Sequence, residues 1–120
     1  MKKIFIVEDD PVTVRLLKVM LEKRNYDVQD CDNGAAAIDK IRDYKPDLVL
    51  MDVIMPEIDG VEATRMIKND PELASIPVII LSALGQEIEI SKGLTAGADG
   101  YMKKPFDTNM LLKKIEELIK

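Results

Sequence analysis

Short apolar runs alternate with longer amphipathic stretches five times along this chain. The runs have the length of β-strands, and the stretches between them carry apolar residues at helical spacing. The predicted strands are residues 4–7, 26–31, 47–51, 78–81 and 99–102. The predicted helices are residues 11 to about 24, 33–43, 60 to about 69, 87–96 and about 107 to 119. Five strand–helix alternations predict an α/β domain with a parallel sheet, covered by helices and connected by right-handed crossovers.

Details of the pattern support this prediction. The third predicted strand, 47–51, shows almost no polar alternation, as expected of a strand covered on both faces. Asp10 and Pro11 suit a helix start, with Asp10 as an acidic cap rather than a ligand. In the first predicted helix, apolar residues follow helical spacing: Val12, Leu16, Val19, Met20 and Leu21. The third offers three apolar residues for burial: Val61, Met66 and Ile67. In the last helix the apolar residues lie on one side: Leu111, Leu112, Ile115 and Leu118.

Composition limits the function classes. The 120 residues suit one domain, residues 1–120, and 47% hydrophobic content is enough for a single core. The net charge of −5 argues against direct nucleic-acid binding, which usually requires a basic face. The lone Cys31 excludes an internal disulfide and fits a reducing compartment. No apolar run approaches the ~20 residues of a membrane span or suits a signal peptide, so we expect a cytoplasmic protein without membrane contact.

The chain contains no histidine. This excludes Ser-His-Asp and Cys-His catalysis as well as histidine zinc sites. A single cysteine also leaves no thiolate zinc site. Any chemistry must therefore use carboxylates, a hydroxyl, lysine and a hard metal that prefers oxygen ligands.

Polar residues at the ends of the predicted strands are the candidate functional residues. In a parallel sheet the carboxyl ends of all strands face one edge, and this edge would collect Glu8, Asp9, Asp52, Ser82 and Lys104. Each residue alone has an ordinary interpretation as a solvated loop acid, a turn residue or a surface side chain. Their joint occurrence at the ends of different strands favours a functional site.

The charges of these side chains predict phosphoryl chemistry. Crowded carboxylates repel one another unless they share a cation, so we expect a divalent ion on Asp9 and Asp52, with Glu8 contributing directly or through water and a loop carbonyl completing the site. The metal and Lys104 would neutralise a phosphoryl group arriving at Asp52, an aspartyl nucleophile. Ser82 would donate its hydroxyl to a phosphoryl oxygen. The set suits formation of an aspartyl phosphate.

Five sequence blocks resemble the receiver domain of two-component response regulators, over essentially the whole chain. The blocks are Ile6-Val7-Glu8-Asp9-Asp10-Pro11, Pro46-Asp47-Leu48-Val49-Leu50-Met51-Asp52, Met55-Pro56 with Asp59-Gly60, Ser82-Ala83, and Lys104-Pro105-Phe106. Their order, spacing and strand context are far more specific than any single block. The resemblance implies a flavodoxin-like, doubly wound five-stranded sheet of order 2-1-3-4-5 with five surrounding helices.

The resemblance also implies a metal site and a phosphoacceptor. Mg²⁺, with Mn²⁺ as an alternative ion, would be bound by Glu8, Asp9, Asp52 and the backbone carbonyl of Ile54. Asp52 would receive the phosphoryl group from the phosphohistidine of a sensor histidine kinase or a histidine phosphotransfer protein. The protein would then be a phosphoacceptor signalling domain, catalysing only its own phosphorylation and slow dephosphorylation, rather than an enzyme acting on other substrates.

A conformational switch is the third implication of the resemblance. Lys104 would contact the phosphoryl group, Ser82 would be the switch hydroxyl and Tyr101 the switch aromatic. Phosphorylation would draw Ser82 inward and Tyr101 toward the space it vacates, which changes the surface of helix 4, strand 5 and helix 5. That surface would control a downstream partner protein or an output domain.

The lifetime of the phosphorylated state follows from two further positions. Ile54 and Leu84 stand two residues past Asp52 and Ser82, where many receivers place a polar group on at least one side. Neither apolar side chain can orient a water by hydrogen bonding. We therefore expect the aspartyl phosphate to decay slowly.

Rival interpretations fit less well. A haloacid-dehalogenase-like phosphatase would carry a second Asp two residues after the nucleophile, where this chain has Ile54. A dinucleotide- or flavin-binding module would have a glycine-rich first turn, whereas Glu8-Asp9-Asp10-Pro11 would repel a pyrophosphate. A degenerate receiver acting as a constitutive interaction module would not need the intact acids, hydroxyl and lysine.

Two questions within the family concern the class of regulator. Ala98-Asp99-Gly100-Tyr101 lacks the second acid that receivers of the winged-helix DNA-binding class tend to carry before the aromatic, which makes that class less favoured. Met1 just before the first strand and Lys120 at the end of the last helix suit a free-standing receiver, and equally a part of a longer regulator.

Overall fold

The computed structural model describes residues 1–53, 58–83 and 87–119. Strands and helices alternate through these residues in the predicted order. The strands are β1 (Lys3–Val7), β2 (Asp27–Cys31), β3 (Leu48–Asp52), β4 (Val78–Ala83) and β5 (Gly100–Lys104). The helices are α1 (Pro11–Glu22), α2 (Gly34–Tyr44), α3 (Gly60–Asn69), α4 (Glu87–Thr95) and α5 (Thr108–Ile119).

The strands form one parallel sheet in the order β2-β1-β3-β4-β5. The predicted fold class, a flavodoxin-like doubly wound sheet with five helices, is confirmed. Because all strands run in one direction, their carboxyl ends meet at a single edge, and β1 and β3 are neighbours in its centre.

The core lies on both faces of the sheet, because successive strand residues point to opposite sides. In β1, Ile4 and Ile6 pack with α1 and α5, whereas Phe5 and Val7 pack with α2 and α3. A smaller cluster around Ile80 lies near the end of α4. The sheet is thus covered on both faces, as the apolar pattern of the third strand predicts.

Strand β3 and strand β5 extend further toward the functional edge than their sequences suggest. Asp52 pairs with Leu81 and is the last residue of β3, and Lys104 pairs with Ala83 and is the last residue of β5. Ser82 likewise lies inside β4. Pairing with a neighbouring strand continues the ladder through these polar residues, so the chemistry-bearing side chains stand on the rigid sheet.

Helical spacing alone does not separate buried from exposed residues in α1 and α3. Val12, Leu16 and Val19 of α1 are exposed, while Leu17, Met20 and Leu21 are buried. Met66 of α3, which we expected to be available for burial, is exposed as well. The apolar stripe of α1 is wider than the strip of sheet that it covers.

Candidate functional site

Three carboxylates meet at the carboxyl edge of the sheet. Glu8 and Asp9 follow β1, and Asp52 ends the neighbouring strand β3. One carboxylate oxygen from each lies within 4.8 Å of the others. Glu8 and Asp52 are buried, whereas Asp9 is exposed, so the cluster opens to solvent on the Asp9 side. The sequence prediction that these acids converge is confirmed by this geometry.

Lys104 connects two of these acids. Its Nζ donates to Oε1 of Glu8 at 2.5 Å and to Oδ1 of Asp52 at 3.1 Å. Lys104 reaches the acids from β5, two strands away from β3, across the end of β4. The ammonium lies beside the oxygen atoms of Asp52 and offsets part of the negative charge of the cluster.

The site perturbs the ionisation of its own members. Burial raises the pKa of Glu8 above its ordinary value, and the adjacent Asp52 adds to the rise, while Lys104 opposes it. Burial lowers the pKa of the Lys104 ammonium, but its hydrogen bond to Glu8 and the charge of Asp52 outweigh burial, so the net shift is upward. Lys104 therefore remains a cation at neutral pH.

Backbone contacts hold the first acidic turn in place. The Glu8 amide donates to the Cys31 carbonyl at 3.1 Å, which extends the β1–β2 ladder to the site. The Asp9 amide donates to Oε2 of Glu8 at 3.1 Å. Asp10 caps α1, accepting from the Val12 amide at 3.3 Å. The prediction that Asp10 is a cap is therefore confirmed.

Ser82 places a hydroxyl in the interior of the protein. The residue is 0% exposed, and its Oγ is buried without a hydrogen-bond partner among the described residues. A buried hydroxyl without a partner costs roughly 1–3 kcal/mol, which a structural role does not explain. It is available to donate to a ligand oxygen or to move.

Tyr101 points outward from β5. It is 43% exposed and borders a surface depression together with Phe106 and Met110. Ile54 and Leu84 lie outside the described residues, so the metal-binding carbonyl of Ile54 and the slow decay of the phosphate remain predictions.

Sequence reasoning gave Gly60 no role beyond marking a turn. In the structure its amide donates to the Val53 carbonyl at 2.7 Å, and Asp59 caps α3 by accepting from the Glu62 amide at 2.9 Å. The start of α3 thus lies against the end of β3. Its hydrogen bond to Val53 holds the neighbouring Asp52 in position. The Asp59-Gly60 pair was the available signal, but its contact with β3 depends on the fold.

The chain matches known proteins along almost its full length. A family model described as the response regulator receiver domain matches residues 4–116. Protein PilH of Pseudomonas aeruginosa is 40% identical over 99% of this chain and 98% of its own length. Chemotaxis protein CheY of Halobacterium salinarum is 36% identical over 98% of this chain and 97% of its own length. The chain spans only half of a third relative, the DNA-binding regulator RpaA of Synechocystis, at 35% identity.

Solved structures agree with these relatives. A response regulator from Chloroflexus aurantiacus superposes with a TM-score of 0.94 at 28% identity, covering 98% of this chain and 97% of that one. The receiver domain of the sensor histidine kinase PA1611 of Pseudomonas aeruginosa, described with magnesium in its active-site cleft, gives 0.91 at 30% identity, covering 98% and 97%.

Within the residues that the structure describes, every helix is too short or too polar to span a membrane.

Three findings indicate the same family: the fold, the acidic edge with its lysine, and the match over residues 4–116. This chain belongs to the family of response regulator receiver domains in two-component systems.

Proposed function

We propose that residues 1–120 act as one phosphoacceptor unit in which Asp52 takes a phosphoryl group from a phosphohistidine. The observation that carries the proposal is the contact of Lys104 Nζ with Oδ1 of Asp52 at 3.1 Å, at the mouth of an acidic cluster. A lysine bound to a carboxylate at this edge places a positive charge where a transferred phosphoryl group would lie. Phosphoryl transfer depends mainly on such positioning and charge stabilisation.

The acidic cluster fits a magnesium ion. Its donors are carboxylate oxygens of Glu8, Asp9 and Asp52, within 4.8 Å of one another, and Mg²⁺ prefers oxygen ligands of this kind. These three side chains would hold the ion, with Mn²⁺ as an alternative. When bound, the ion would neutralise charge on the phosphoryl oxygens. The carbonyl of Ile54 is proposed from sequence as a further ligand.

The transfer step uses residues of this chain as nucleophile and charge partner. A carboxylate oxygen of Asp52 forms the new bond to phosphorus as the bond between phosphorus and the donor imidazole nitrogen breaks. The departing imidazole nitrogen takes up a proton from solvent water. Lys104 stays protonated because its pKa is raised, so it can contact the transferred group without donating a proton to it.

Ser82 and Tyr101 supply the proposed switch. The Ser82 hydroxyl, which has no partner among the described residues, would donate to a phosphoryl oxygen on Asp52. The exposed Tyr101 would turn toward the space that Ser82 leaves. The surface of α4, β5 and α5 would then change its shape. A downstream partner protein or an output domain would recognise that surface.

Partners and location follow from the same proposal. The donor would be a sensor histidine kinase or a histidine phosphotransfer protein, because the chain has no histidine of its own. We propose a cytoplasmic protein that does not itself bind nucleic acid or membranes and has no substrate other than its phosphodonor. The net charge of −5 supports the absence of nucleic-acid binding.

Intact-mass analysis tests this function. With Mg²⁺ and acetyl phosphate, the parent protein should gain one phosphoryl group, and Asp52→Asn should gain none. Asp43→Asn is the matched control, because Asp43 is an exposed acid near the C-terminus of α2, at the opposite edge of the sheet. Labelling of the Asp52→Asn protein equal to that of the control would contradict the proposal.

A further inference from the structure

Lys68 on α3 is a largely buried lysine whose ammonium contacts two backbone carbonyls and one carboxylate. Its side chain is only 16% exposed. The Nζ donates to the Ala74 carbonyl at 3.2 Å and to the Ile76 carbonyl at 2.7 Å, and it forms an ion pair with Oδ2 of Asp99 at 2.9 Å. The lysine thus binds the loop before β4 and the residue before β5 at the same time.

Asp99 in turn fastens the start of β5 to the start of β4. Its amide donates to the Val78 carbonyl at 2.8 Å, and its Oδ2 accepts from the Val78 amide at 2.8 Å. Lys68 binds this same Oδ2. The carboxylate therefore has its orientation fixed by a backbone amide and an ammonium together.

The stem of Lys68 lies against the end of α4. That helix ends in a Schellman motif, in which Ala98 donates to Gly93 and Gly97 donates to Leu94, both at 3.1 Å. Gly97 has a φ of +111°, and an added Cβ there would stand 2.8 Å from Cγ of Lys68. Lys68 is therefore packed where α4 ends and β5 begins.

Strand β5 has little in its own sequence to fix its register. It is an edge strand that pairs only with β4. Gly100 is its only buried residue, while Tyr101 and Lys103 are exposed and Met102 and Lys104 are half-buried. Register is weakly specified where neither face is strongly buried, and a slip of one residue turns every side chain to the other face. Such a slip would move Lys104 away from the acidic cluster.

We propose that Lys68 is a positioning residue for Lys104, because it holds Asp99 and through Asp99 fixes the register of β5 on β4. Lys104 lies about 16 Å from Asp99 along β5, at roughly 3.3 Å per residue. Lys68 therefore acts on the site without touching it. The inference rests on the proposed function, in which Lys104 contacts the phosphoryl group on Asp52. Glu8 and Asp9 follow β1 and Asp52 ends β3, so these acids do not depend on this anchor.

The test compares Lys68→Met with Arg65→Met. Both variants remove one positive charge from α3, but Arg65 forms an exposed ion pair with Glu62 rather than a buried one. We expect Lys68→Met to slow labelling by acetyl phosphate about tenfold, since a misplacement of 1 Å can cost ~100-fold. Mg²⁺ affinity, measured by titration of backbone amide signals, should match that of the parent. The amide signals of Lys104 and its cross-strand contacts to β4 should shift in this variant alone.

A second variant covers the case in which Lys68→Met fails to fold. Asp99→Asn keeps an acceptor for the Val78 amide and loses only the charge that Lys68 binds, so labelling should slow in the same direction. If the variant that folds is labelled at the parental rate and the amide signals of its Lys104 are unchanged, the inference is overturned. A loss of Mg²⁺ affinity parallel to the loss of rate would overturn it too, because it would indicate general loosening. Absence of labelling in the parent would instead refute the proposed function, while the Lys104 signals would still report the register.

Discussion

Gly60 lies directly against the main chain of Asp52. A Cβ added to Gly60 would stand 2.0 Å from the Asp52 carbonyl oxygen and 2.8 Å from its carbonyl carbon. The neighbouring atoms belong to backbone, so no side-chain rotation can relieve the contact. Glycine at the start of α3 is thus a condition for the position of the proposed phosphoacceptor.

Gly60→Ala should therefore destabilise the protein strongly. We expect the free energy of unfolding to fall by about 3 kcal/mol, the upper part of the usual range for overpacking, because backbone must shift. Gly100→Ala is the control, since the atoms nearest its added Cβ belong to the flexible side chain of Lys114, with Cε at 2.6 Å. Urea unfolding measures both. Equal losses in the two variants would contradict the proposed role of Gly60.

Asp9 and Asp10 should separate metal binding from helix capping. Asp9→Ala should weaken Mg²⁺ binding by at least roughly tenfold, since even residues that only orient ligands have effects of that size. Without metal it should keep or raise the melting temperature, because one of three crowded negative charges is removed. Titration of amide signals and thermal unfolding give the two quantities.

Asp10→Ala should show the opposite behaviour. It removes the α1 cap and should cost about 1 kcal/mol of stability while leaving Mg²⁺ affinity close to the parental value. If Asp9→Ala lowered stability and left Mg²⁺ affinity intact, Asp9 would be a structural residue.

Glu8 should make stability depend on pH. Its folded-state pKa is raised above the ordinary value of 4.5, chiefly by burial, so between these two pKa values the folded state binds more protons than the unfolded state. Its contribution to stability is greatest below pH 4.5 and is lost as the pH rises through the folded-state pKa. The free energy of unfolding, measured with urea in EDTA, should decrease less steeply with rising pH across this range for Glu8→Gln than for the parent. A slope as steep in the variant would assign the pH dependence to other groups.

The sheet and the convergence of its polar residues could be predicted because they depend on local pattern. Apolar runs marked all five strands, and parallel topology then brings Glu8, Asp52 and Lys104 to one edge. The ends of the strands were less predictable. Asp47 was placed in β3 and Asp52 after it, yet Asp47 accepts from the Lys3 amide at 2.8 Å and Asp52 pairs within the sheet. A residue with a polar side chain can remain in a strand when the neighbouring strand hydrogen-bonds to its backbone.

Contacts that arise only from tertiary packing were beyond prediction. Nothing local indicates that Lys68 binds two carbonyls and Asp99, since a lysine on a helix is usually a solvated residue. Likewise, glycine is required at position 60 only because the start of α3 packs against the end of β3 in the folded protein. The unpartnered state of the Ser82 hydroxyl is likewise a property of the packed core.

The most direct test of the central claim is to locate the phosphoryl group chemically. After incubation with Mg²⁺ and acetyl phosphate, borohydride reduction converts an aspartyl phosphate to homoserine, which tandem mass spectrometry of the peptides can place. We expect homoserine at position 52 and at no other acid, with the signal absent when the phosphodonor is omitted. Homoserine at Asp9 or at another acid, with Asp52 unmodified, would contradict it.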